Sequence, residues 1–287
     1  KQALQSSVSG KFFFIERELD EAMKKSKVLD SEVLNNLGVI NSNAFFVLSH
    51  GVEKDLLLKA KNYFYQAIGY DPDYVIARFN LATLCYLEGD LAKAEESLNA
   101  IIILISSSPE KSLEKSGFIH ITPNLSYQND LKIEWEKVNY ENYLDNEAKS
   151  FGYCDLLLAK TFEMLGDINF KNDDFETSEE MYLNSIQIRD DIGNSKIKLA
   201  NLLKMTDRLE ESYNLYNEVK NVHPLNSEVW LEMLHILKEQ YDMLFVERNK
   251  PEYVISTNNK QTQYNKLLNE AKIMKNIFPT RFNNVVS

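Results

Sequence analysis

Four histidines and two cysteines are the side chains best suited to metal binding or nucleophilic chemistry in this 287-residue chain. Their spacing favours neither. His50, His120, His223 and His235 are scattered, whereas a zinc site needs ligands grouped a few residues apart. Cys85 and Cys154 are too few to staple a chain of this length. Cys85 sits among apolar residues and reads as a small core side chain, and Cys154 lacks a neighbouring cation to hold a thiolate. No glycine-rich dinucleotide or phosphate loop, GxSxG elbow or HExxH pair occurs. Asp173, Asp174, Glu176, Glu179 and Glu180 form an acidic run, but it lacks the alternating ligands and closing glutamate of a calcium loop. Carboxylates at the start of a helix are stabilised by its dipole, which explains the run without a ligand. The expectation is a chain that is not an enzyme, with no catalytic residue, no metal and no cofactor.

The elements holding these residues are helices. Gly 9 and Pro 6 leave few breakers for the tight turns of a β-rich fold. Lys+Arg 32 against Asp+Glu 43 gives a net charge of −11, which disfavours nucleic acid or an anionic membrane as partner. The longest apolar runs, Phe12 to Ile15 and Ala100 to Ile105, fall far short of the ~20 residues that a membrane helix needs. No signal peptide is visible, and the chain leans towards an intracellular setting without fixing a compartment. A chain opening at Lys1 leaves open that it is cut from a longer polypeptide.

An internal period organises the sequence. Leu165-Gly166 recurs as Leu199-Ala200 and again as Met233-Leu234, two equal steps of ~34 residues. Ser178, Tyr182, Ser185 and Asp190 map in the same way onto Ser212, Tyr216, Val219 and Pro224. Earlier copies carry Leu37-Gly38 with Ala60, Phe64, Ala67 and Pro72, then Leu81-Ala82 with Ala94, Leu98 and Ile101. Each copy reads as two amphipathic helices around a polar turn such as Glu88-Gly89-Asp90 or Asn172-Asp173-Asp174. Gly38, Ala82, Gly166 and Ala200 allow close approach, and Ala60, Ala94, Ser178 and Ser212 receive it. Phe64, Tyr182 and Tyr216 are expected to fill gaps between neighbouring copies, and Pro72 and Pro224 to end second helices.

This spacing resembles the tetratricopeptide repeat family, with Phe162 and Trp230 at the large aromatic position of the first helix. The resemblance covers roughly residues 31–279. It implies an all-α fold, a right-handed α-solenoid of stacked helix-turn-helix repeats, here with two insertions. The expected layout is a cap helix or partial repeat over 1–30, repeats over 31–106, an insertion over 107–158, repeats over 159–279 and a tail over 280–287. Within the insertion, Leu131, Trp135 and Val138 fall at helical spacing, so an extra helix is expected to run into the next repeat. The last repeat is expected to be interrupted around 241–262 by a loop near Pro251 to Gln261, before a capping helix from Tyr264 to Ile277.

In stacks of this family the first helices line the concave surface. Counting from the small residue, the resemblance implies groove positions at Asn36, Ile76, Phe79, Asn80, Thr83 and Tyr86, then Lys160, Glu163 and Asp167. Asn194, Ile197, Lys198 and Asn201, then Leu231 and His235, complete the set. Amides beside aliphatic and aromatic groups suit an extended or helical peptide. The expected function is a scaffold that binds a protein or peptide through this groove, and through the 107–158 insertion as well. Two alternatives remain open: a regulatory or sensor arm of a longer polypeptide, and a helical-repeat RNA binder, which the acidic charge disfavours. A chaperone-tail clamp is disfavoured too, since only Asn80 and Lys160 match that subgroup's basic and amide set. The partner's identity and the oligomeric state are not legible.

Overall fold

The computed structural model describes residues 30–48, 54–107, 149–189, 193–246 and 251–282, with Val285 and four helical positions near the N-terminus (Phe14, Arg17, Glu18 and Glu21). The N-terminal helix expected from Phe12 to Val28 lies otherwise outside the described residues, as does most of the 107–158 insertion. The described residues are all-α and form two compact units, 1–168 and 169–287.

The first unit holds α1 (Ser31–Leu48), α2 (Lys54–Tyr70), α3 (Val75–Glu88) and α4 (Leu91–Ser107). It also holds most of α5 (Lys149–Lys171), whose last three residues belong to the second unit. α1 packs on α2, and α3 on α4, as two hairpins, with α2 also against α3. The repeat frame sets the burial. Ala60, Phe64, Ala67, Ala82, Ala94, Leu98 and Ile101 are all fully buried. Gly38 is required by contact: a Cβ there would lie under 3.0 Å from the Phe64 ring. Phe64 therefore fills the space inside its own hairpin, a correction to the expectation that it bridges neighbouring copies. Gly89 ends α3 in the left-handed region (φ 84°), its N–H turned back to the Cys85 and Tyr86 carbonyls.

The second unit holds α6 (Phe175–Ile188), α7 (Gly193–Met205), α8 (Leu209–Val222), α9 (Ser227–Val246), α10 (Pro251–Ile277) and the short α11 (Pro279–Phe282). Each helix packs on the next from α6 through to α11. Ser178, Ser185, Ser212, Tyr216 and Ala200 are buried. The small hydroxyls are satisfied locally: Ser212 Oγ donates to the Ala200 carbonyl at 2.7 Å, and Ser185 and Ser195 share a 2.8 Å bond. The turns repeat too. Asp173 (φ 60°) and Asp207 (φ 63°), one repeat period apart, hold the left-handed position that Gly89 occupies in the first unit. Asp174 caps α6, accepting from the Thr177 N–H at 3.1 Å.

Both prolines do more than stop a helix. The Pro72 carbonyl accepts from Arg78 Nε and Nη2 at 3.1 and 2.8 Å, and the Pro224 carbonyl accepts from Trp230 Nε1 at 2.9 Å. In each case the donor lies six residues on, at the large-residue position of the following first helix.

The loop expected at Pro251 to Gln261 is helix: α10 begins at Pro251 and runs unbroken to Ile277. The α9–α10 hairpin spans 227–277 against 193–222 for α7–α8, 21 residues more, of which 7 lengthen the first helix and 13 the second. The ion pairs record the same insertion. Arg208 meets Glu179 at a separation of 29 residues, whereas Lys260–Glu210 and Lys220–Glu270 pair at 50, again 21 more.

Candidate protein-binding site

The first-helix residues of the first unit prove largely closed. Ile76, Phe79, Asn80 and Thr83 on α3, and Glu163 on α5, are buried, which corrects their assignment to an open groove. Their polar groups are engaged. Asn80 Nδ2 donates to Asn35 Oδ1 at 2.8 Å, and Asn35 Nδ2 donates to Asn36 Oδ1 at 3.2 Å, so three amides tie α1 to α3. Thr83 Oγ1 donates to the Phe79 carbonyl at 2.9 Å within its own helix. Asn36, Tyr86, Lys160 and Asp167 are half-buried and keep part of their surface accessible.

In the second unit the corresponding positions stay accessible. Asn194 and His235 are exposed, and Ile197, Lys198, Asn201 and Leu231 are half-buried. Ile197 and Leu231 rest against the cluster built on Tyr216, Val229, Trp230 and Met233, so each offers one apolar edge. Asn201 Oδ1 accepts from Tyr216 Oη at 2.5 Å, which orients the amide. Burial raises the pKa of that phenol, keeping it a donor. Lys204 and Glu232 pair at 2.6 Å and tie α7 to α9, two successive first helices. The repeat spacing in the sequence did not reveal this pairing.

Among the described residues, no three His, Cys, Asp or Glu side chains come together as a metal site. Cys85 is buried, and desolvation pushes its thiol up, away from a reactive thiolate. His223 caps α8, its backbone N–H bonded to the Val219 carbonyl at 2.7 Å, and its side chain is exposed. His50 and His120 lie outside the described residues. No described helix is long and apolar enough to cross a membrane.

Residues 57–104 match the family described as Tetratricopeptide repeat. No protein with a curated description matches the sequence. A tetratricopeptide repeat protein from Parabacteroides merdae aligns at TM-score 0.51 with 14% identity, over 99% of this chain and 94% of that one. BtubC from P. vanneervenii aligns at TM-score 0.50 with 12% identity, over 76% of this chain and 75% of that one. At these identities the likeness concerns the fold alone.

Proposed function

We propose, from the premise that this chain is a tetratricopeptide repeat protein, that it is an interaction scaffold whose first-helix face on α7 and α9 holds a protein or peptide. The observation that carries this reading is the recurrence of accessible pairs one repeat period apart, Ile197 with Leu231 and Asn201 with His235. Stacked helices fix these side chains before a ligand arrives, so docking an extended segment costs little further ordering on the protein's side. The aliphatic edges supply apolar contact, and Asn194 and Asn201 offer amides to a backbone.

The test is capture of partners from native extract by the parent and by Asn194→Glu/His235→Glu. Both positions are exposed, so the variant is expected to fold like the parent. Phe79→Glu is unsuitable, because it would place a charge in a site that is 3% exposed. A partner held by the parent and lost by the folded variant supports the face on α7 and α9. A partner held equally by both excludes it.

A further inference from the structure

A shallow, open cleft of about 380 Å³ lies between the end of α8, the start of α9 and the C-terminal half of α10. Pro224, Trp230, Ile273 and Met274 give it apolar walls, and Lys220, Asn221 and Glu270 give it polar groups. Its size is at the small end for a ligand pocket, suited to one or two apolar side chains.

The ammonium of Lys220 is held in place. It lies 4.9 Å from the centre of the Trp230 ring, and the side chain is only 15% exposed. Its carboxylate partner Glu270 stands at 3.5 Å, well beyond the roughly 2.7–2.9 Å of a full charge-assisted hydrogen bond. An ammonium has three donors, so Glu270 leaves capacity for another acceptor. Lys266, Glu270, Ile273 and Ile277 share one face of α10 at spacings of 4, 7 and 11 residues, and Lys266, Ile273 and Ile277 are exposed. Two lysines against one glutamate make this apolar surface locally basic in a chain of net charge −11.

We propose that this cleft is a second docking site, taking an apolar side chain flanked by aspartate or glutamate within an acidic segment of a partner protein. Charge complementarity selects the occupant: the acidic residue pairs with Lys220, and a second one turns towards Lys266. Lys220 loses little freedom on binding because its ammonium is already held over the Trp230 ring.

The test uses Trp230 as reporter. Trp135→Phe leaves it the chain's sole tryptophan, and the full chain is titrated with acetyl-Asp-Leu-Asp-Leu-Asp-amide and with the peptide bearing Asn for each Asp. The acidic peptide is expected to change Trp230 emission saturably, with the Asn peptide at least tenfold weaker. Lys220→Met keeps the apolar stem and should weaken binding at least tenfold, while Glu270→Gln should tighten it several-fold. Equal response to both peptides, or parent-like binding by Lys220→Met, overturns the proposal. Tighter binding of a neutral leucine peptide ending in a free carboxylate overturns the choice of an internal acidic segment. Glu270→Gln alters a part-exposed carboxylate, and its expected gain keeps the proposal falsifiable if Lys220→Met fails to fold.

Discussion

Gly38, Gly69 and Gly89 occupy three physically different positions, and the same substitution should have three different effects. At Gly38 a methyl group would come under 3.0 Å from the Phe64 ring, so Gly38→Ala should destabilise by about 1–3 kcal/mol. At Gly89 nothing lies within 4 Å, yet φ is +84°, and Gly89→Ala should cost about 1–2 kcal/mol through the backbone alone. Gly69 has open space and ordinary φ, so Gly69→Ala should stabilise by about 0.5 kcal/mol. Urea denaturation of the three variants checks the order. The packing role of Gly38 and the turn role of Gly89 were legible in the repeat frame; the fate of the groove residues was not. Counting from the small residue gives a helix face, but it does not say how far neighbouring elements cover that face. Asn80 looks like a ligand-binding amide in sequence, and in the fold it donates to Asn35 on the neighbouring helix.

At the scale of elements, the α9–α10 hairpin is where the sequence misled. Asn258, Asn259 and Thr262 suggest a loop, but Pro251 is also well suited to open a helix, having no N–H to satisfy in the first turn. Tertiary contacts favour the helix. Glu210 Oε2 on α8 accepts from Lys260 Nζ on α10 at 2.7 Å and from Gln240 Nε2 on α9 at 3.2 Å. The Lys260 hydrogen bond holds the Glu210 carboxyl below its ordinary range. A carboxyl with a depressed folded pKa binds fewer protons folded than unfolded, so its stabilisation is complete above the unfolded pKa of about 4.3 and is lost as pH falls. Glu210→Gln should therefore flatten the decline of stability between about pH 5 and 3, measured by denaturation at each pH. A decline as steep as the parent's would remove Glu210 from the acid response.

Across the whole molecule, periodic small and aromatic positions made the all-α repeat class legible, because each is dictated by how closely helices can approach. The occupant of the face is harder to read, since side chains that pair with a neighbouring helix and side chains that meet a ligand share the same types. The central claim is that the first-helix face on α7 and α9 contacts the partner. The most direct measurement is photocrosslinking in native extract, with benzoylphenylalanine in place of His235 and, separately, in place of Leu183, which is 49% exposed on the second helix α6. The account predicts a discrete crosslinked partner from position 235 and none of that species from position 183. The same species from position 183, with none from 235, would contradict it.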